Sequence, residues 1–199
     1  ALALIDADAL KVPTIWPNLT AFRASEDAAR DVLQCNETSR DDVLIYNRRG
    51  TREIVNYEEV IEYIEKLGLK AKVLYPNQLS PDEQICEMTN ERRVLITPHG
   101  GQQGSLFFKR AGVAVVIASP EANLFEYYRF LAHKSDPWYH IRGNRSWSCP
   151  GNFCSESEGA WGNDSSCGLK CVRRARADSI NLSLSALHDV FVGMGIVDM

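Results

Sequence analysis

Residues 43–75 read VLIYNRRGTREIVNYEEVIEYIEKLGLKAKVLY, and this stretch sets the fold class. It opens on Val43-Leu44-Ile45-Tyr46, an apolar run of the length that suits a buried strand. A polar turn containing Gly50 follows, and Asn56 then stands three residues before Glu59, a spacing that predicts a capping box at a helix start. Val60, Ile61, Ile64 and Leu67 give that helix one apolar face, and Gly68 supplies its stop. Val73-Leu74-Tyr75 reads as the next strand. Strand, helix and strand in succession form the unit of a parallel sheet joined by right-handed crossovers.

The same alternation continues downstream. Ser80-Pro81-Asp82-Glu83 combines a cap, a proline at the first helical position and a glutamate at the third, so a helix is predicted from there to about Thr89. Val94-Leu95-Ile96 is a third strand, followed by a glycine-rich loop and a short helix to about Arg110. Val113 to Ile117 is a fourth strand, so apolar that both its faces are expected to be covered. A helix is expected from about Glu121 to His133, and an amphipathic one upstream from about Ser25 to Leu33. The expected fold class is therefore α/β, a Rossmann-like parallel sheet with flanking helices, over residues 1–135 including an N-terminal lead-in. Residues 136–176 change character. Trp138, Trp147, Trp161 and four cysteines mark them as a disulfide-rich, loop-rich insertion. Residues 177–199 are expected to pack back through a helix from about Leu182 to Val192, offering Leu184, Leu187 and Phe191.

Composition narrows the function classes. Of the 199 residues 45% are hydrophobic and 24% charged, which is ordinary for a globular chain. A net charge of −4 gives no electrostatic case for nucleic acid, and no run approaches the roughly 20 apolar residues that span a bilayer. The chain begins at Ala1 and is read as a mature product or a fragment of something longer. Six cysteines and the N-glycosylation acceptors at Asn18, Asn36, Asn144, Asn163 and Asn181 point to an oxidising compartment, the ER or Golgi lumen or the exterior. Cys149, Cys154, Cys167 and Cys171 are expected to form two disulfides, with a tetrahedral zinc site as the other arrangement open to them. Cys35 and Cys86 form either a third bridge or two buried thiols.

Two segments carry candidate chemistry. In Thr97-Pro98-His99-Gly100-Gly101-Gln102-Gln103-Gly104-Ser105, glycines after a buried strand let backbone amides approach a ligand, and the following helix presents its positive end. A diphosphate suits that geometry, and His99 is placed to stabilise a leaving group as its charge develops. In Asn47-Arg48-Arg49-Gly50-Thr51-Arg52, three guanidinium groups form a second phosphate-binding candidate, since each offers paired donors. A tight structural turn and a solvated basic turn are the respective alternatives. Both loops follow strands, and ligands of open α/β sheets bind beyond the carboxyl ends of strands. Asp6-Ala7-Asp8 has the form of a metal-binding pair but precedes the first strand, so no metal site is assigned to it.

Arg48-Arg49-Gly50-Thr51-Arg52-Glu53-Ile54-Val55-Asn56, Leu79-Ser80 through Glu83-Gln84, and Pro98-His99-Gly100 together resemble the C-terminal domain of family 61 glycosyltransferases. That family includes plant β-1,2-xylosyltransferases, xylan arabinosyl- and xylosyltransferases and animal O-linked N-acetylglucosaminyltransferases. The resemblance covers roughly residues 20–135 with the order of segments intact. It implies a GT-B architecture of two Rossmann-like domains facing across a cleft. It also implies inverting, metal-independent transfer from a UDP-sugar to a glycan or glycoprotein acceptor, with no cofactor. This chain would be mainly the donor-binding part, completed by an N-terminal domain or a companion chain and inactive alone. On this reading His99 is the catalytic residue. Arg48, Arg49, Thr51, Arg52, His99, Gly100, Gly101, Gly104, Ser105 and Glu121 contact the donor.

The sequence departs from the family in three places. Gln102 stands where the family loop has its second glycine, Gly104-Ser105 replace a Thr-Asn pair, and Ile117 takes the place of a glutamate at the end of the fourth strand. Glu121 is the nearest carboxylate available for the ribose hydroxyls. Gln102 and Ile117 favour the rival reading, a non-catalytic glycan-binding or structural module on the same fold.

Overall fold

The computed structural model describes residues 27–35, 41–100, 106, 108–110, 112–119, 137–142 and 179–198. Five strands form one wholly parallel sheet: β1 (Val43–Tyr46), β2 (Ala71–Leu74), β3 (Val94–Pro98), β4 (Ala114–Ser119) and β5 (Trp138–Arg142), in the order β2-β1-β3-β4-β5. Helix α1 covers residues 27–33, α2 Tyr57–Lys66, α3 Pro81–Met88 and α4 Leu184–Gly193. This is the expected α/β architecture. Its strand order reverses direction between β1 and β3, which makes the gap between those two strands the topological switch point.

The period-2 alternation of the strands sorts their side chains onto two faces. Val43, Ile45, Val94, Ile96, Val116 and Ala118 face one way, where Val60 and Ile64 of α2 and Leu187, Val190 and Phe191 of α4 cover them. Leu44, Tyr46, Leu95, Val115 and Ile117 face the other way, against Met88 of α3. The central strands β1, β3 and β4 are buried along their whole lengths, as apolar runs with both faces covered must be. Each buried Val, Leu or Ile contributes about 1.5–3 kcal/mol, so these strands dominate the favourable side of folding. β2, at one edge, is only half-buried, and its Lys72 pairs with Glu87 at 2.9 Å.

Local signals worked where nothing tertiary competed with them. Ser80 and Glu83 form the expected reciprocal capping box at the start of α3. Gly68 takes a left-handed φ of 77° after α2, a conformation natural to glycine.

Asn56 is a correction. It stands at the N-cap of α2, but its side chain makes no cap hydrogen bond. Its amide instead donates to Leu182 O at 3.0 Å and accepts from Leu182 N at 2.8 Å, holding the C-terminal segment against the sheet edge. The helix start keeps the favourable charge of Glu58 and Glu59 in its first turn.

The boundary at residue 136 is a second correction. Trp138–Arg142 is a strand of the sheet, paired with β4 from Val115↔Trp138 to Ser119↔Arg142, and does not begin a separate insertion. Cys149, Cys154, Cys167, Cys171, Trp147 and Trp161 lie outside the described residues, as does the helix expected from Glu121 to His133. The strand expected to end at Ile117 runs on to Ser119, which makes Ile117 a fully buried core residue.

Cys35 and Cys86 form a disulfide, which ties the end of α1 to α3. Arg30 reinforces the tie by donating to Thr89 O, Thr89 Oγ1 and Asn90 Oδ1 at 3.2–3.3 Å. With the cysteines 51 positions apart in sequence, the closed loop removes chain entropy from the unfolded state worth about 3–4 kcal/mol. The double variant Cys35→Ala with Cys86→Ala is therefore expected to lose stability of that order in denaturant unfolding. An unchanged midpoint would show that the bridge carries no stability.

Candidate active site

The carboxyl ends of β1 and β3 lie side by side, because Ile45 faces Ile96 one residue before β1 ends and two before β3 ends. Thr97, fully buried, donates through Oγ1 to Tyr46 O at 3.2 Å and links the two ends directly. From this junction the two candidate loops depart. Arg48, Arg49, Thr51 and Arg52 follow β1, and His99 and Gly100 follow β3. The structure thus starts the two loops side by side at the carboxyl edge, at the switch point, where open α/β sheets bind ligands. Gly101, Gly104, Ser105 and Glu121 lie outside the described residues.

The loop after β1 is built around Asn47. Its side chain is fully buried and behaves like a peptide unit in a ladder. Nδ2 donates to Ile54 O at 3.0 Å, and Oδ1 accepts from Ile54 N and from Arg48 N, each at 2.9 Å. Residues 48–53 are thereby closed into a compact turn. Within it Gly50 has φ 82° and Arg52 φ 60°, both left-handed, and Gly50 N donates to Glu53 Oε2 at 3.0 Å. A left-handed arginine is disfavoured by sterics and persists only where its surroundings determine it.

The far side of the loop is fixed as well. Ile54 is fully buried and bridges Ile180 through Val55 N to Ile180 O at 3.0 Å and Ile180 N to Glu53 O at 2.7 Å.

The three guanidinium groups are not equivalent. Arg48 and Arg52 are half-buried, whereas Arg49 is exposed. The Arg49 guanidinium carbon sits 4.8 Å from the centroid of the Tyr75 ring, just beyond β2 and on the side of β1 away from β3. On the other side of the junction His99 is 9% exposed, and its backbone N donates to Ala118 O at 2.8 Å, so it is still paired with β4 where the loop begins. Gly100 takes φ 155°, in the region that favours glycine.

Several site features were invisible in the sequence. Asn47 heads the arginine segment in the sequence, but nothing in its neighbourhood announces that its side chain pairs with Ile54. Thr97 was grouped with the glycine loop, although it belongs to β3. Ser119, buried at the end of β4, is the residue at the carboxyl edge in the place that Ile117 was expected to hold. Of the N-glycosylation acceptors, Asn181 is exposed, while Asn18, Asn36, Asn144 and Asn163 lie outside the described residues.

A cavity of about 410 Å³ lies at the opposite, amino edge of the sheet, among residues that precede β1, β3 and β4. Its charges are largely matched within the protein. Arg110 pairs with Glu91 at 3.0 Å, the Arg92 guanidinium bonds Glu87 O and lies 3.6 Å from the Glu87 carboxylate, and Asp42 accepts from Lys70 N at 2.9 Å. Burial pulls the Arg92 guanidinium below its usual value, while Glu87 and Asp41 act in the opposite sense. These pairs hold the amino edge together, and the carboxyl ends of the strands, beyond which open α/β sheets bind ligands, lie at the other end.

The family model for glycosyltransferase 61 matches residues 7–117, more than half of the chain and inclusive of both loops at the switch point. No curated protein matches the chain. With more than half of its length matched, the chain belongs to the glycosyltransferase 61 family, and its activity is that of a glycosyltransferase.

Proposed function

We propose that this chain is the donor-binding part of a GT-B enzyme that transfers a sugar from a UDP-sugar, with inversion and without a metal, to a glycan or glycoprotein. The observation that carries the reading is the convergence of the arginine loop after β1 and the His99 loop after β3 at the switch point. Arg48 and Arg52 neutralise the diphosphate, with Arg49 at its outer side. His99 and the amides of Gly100 and Gly101 stabilise the negative charge that grows on the departing UDP. Thr51, Gly104 and Ser105 complete the phosphate contacts, and Glu121 takes the ribose hydroxyls.

Inverting transfer also needs a base to deprotonate the acceptor hydroxyl. Within the arginine loop the carboxylate of Glu53 already accepts from Gly50 N. We assign the base to a second domain, or a companion chain, facing this edge.

The direct test is calorimetric titration of the chain with UDP. Binding in the micromolar to low millimolar range is expected, and Arg48→Ala or His99→Ala should weaken it at least tenfold. The loss of a hydrogen bond to a charged group, about 1.5–3 kcal/mol, sets that scale. Absence of UDP binding by the native chain at millimolar concentration favours the rival reading, a non-catalytic module on the same fold.

A lumenal or secreted location is supported by the Cys35–Cys86 bridge and by the exposed Asn181 acceptor. Expressed through a eukaryotic secretory pathway, the protein is expected to lose mass on treatment with peptide N-glycosidase. One glycan's worth of that loss should disappear in Asn181→Gln. A native mass unaffected by the enzyme contradicts this placement.

A further inference from the structure

The arginine loop poses a physical question that its charge alone does not answer: why an arginine occupies a left-handed backbone position. Arg52 at φ 60° is one of two non-glycine residues with positive φ among the described residues, the other being Gln34 at the end of α1. Glycine or asparagine would sit there more easily. The conformation is imposed from both sides. Asn47 pairs its side-chain amide with both backbone groups of Ile54, and Ile54 is held from its other side by the bridge to Ile180. Asn56 repeats the same device one step outward, pairing its own amide with both backbone groups of Leu182.

We infer that Asn47 is a positioning residue of the donor site: its buried side-chain amide sets the backbone from which Arg48 and Arg52 present their guanidinium groups to a diphosphate. The inference rests on the donor-site reading above. Asn47 is not a catalytic residue, since it acts through the two arginines. Its own hydrogen-bonding groups are turned toward the protein backbone: Oδ1 accepts from two N–H groups and Nδ2 donates to one carbonyl, at 2.9–3.0 Å. Preorganisation of this kind adds to affinity by removing the ordering that a flexible arginine loop would undergo on binding. A diphosphate clamp built on it discriminates by the number of phosphates presented, because the arginines, not the nucleoside, depend on Asn47.

The test compares UDP with uridine, using the full chain. Asn47→Ala is expected to weaken UDP at least tenfold in calorimetry or ligand-observed NMR while leaving uridine affinity within about twofold. A purely structural role would lower the folded fraction and so weaken both ligands alike. Unchanged UDP affinity in the folded variant, or equal loss of UDP and uridine, overturns the inference. If the native chain binds no UDP, the donor-site reading fails first and this inference fails with it.

Hydrogen exchange on the native, nucleotide-free chain gives a second readout that needs no variant. The amides of Arg48 and Ile54 are expected to be protected at least a hundredfold over unstructured peptide. Exchange at the unprotected rate would overturn the preorganisation on which the inference depends.

Discussion

A single buried amide, that of Asn47, organises the loop at the carboxyl edge of the sheet. Asn47 directly follows β1 with its backbone N still bonded to Leu74 O at 2.9 Å, while its side chain turns to pair with Ile54 as a strand would. A buried peptide N–H or carbonyl left without a partner costs about 1–3 kcal/mol, so the pairing decides where the chain returns after its excursion. Everything beyond follows from that return point. Ile54 enters the core, Ile180 bridges to it, Asn56 captures Leu182, and α4 is delivered to the face of the sheet that it shares with α2. The arginine loop is thus braced by the C-terminal segment as well as by its own strand.

The sheet's topology makes this edge chemically useful. Parallel strands leave their carboxyl ends on one side, and reversal of the order between β1 and β3 opens the space there. Among the described residues the opposite edge carries a larger collection of charges, but Arg92 and Arg110 there are paired with Glu87 and Glu91. Charge count therefore does not locate the site. What separates the edges is architecture: at the amino edge the ion pairs join neighbouring loops, and at the carboxyl edge the loop is shaped first and carries its arginines second.

Much of the fold was legible in the sequence because it depends on short-range, strongly patterned signals. The apolar runs of β1, β3 and β4 are buried on both faces, so an unbroken hydrophobic run is itself the strand signal. Ser80 and Glu83 cap α3 by bonding each other, with no tertiary partner for either side chain among the described residues. Asn56 has equally good local credentials and yet serves Leu182, 126 residues away, a partner that no local pattern can announce. β5 was hidden for a different reason. Trp138-Tyr139-His140 is aromatic, half-buried and at a sheet edge, and its composition matches the Trp- and Cys-rich residues that follow it better than the apolar strands before it. The candidate site divides the same way. The positions of Arg48, Arg52 and His99 after β1 and β3 follow from residue type and strand pattern, whereas the pairing of Asn47 depends on a hydrogen-bond geometry that exists only once Ile54 has folded back.

The central claim, that the ligand position is the switch point between β1 and β3, is tested most directly by backbone amide chemical shifts on adding UDP to the isotope-labelled chain. The largest, saturable changes are expected at Arg48 through Glu53 and at His99 and Gly100, with Asp42, Arg92, Arg93 and Arg110 unmoved. Saturable shifts centred on those four amino-edge residues, with the arginine loop and His99 silent, would contradict it.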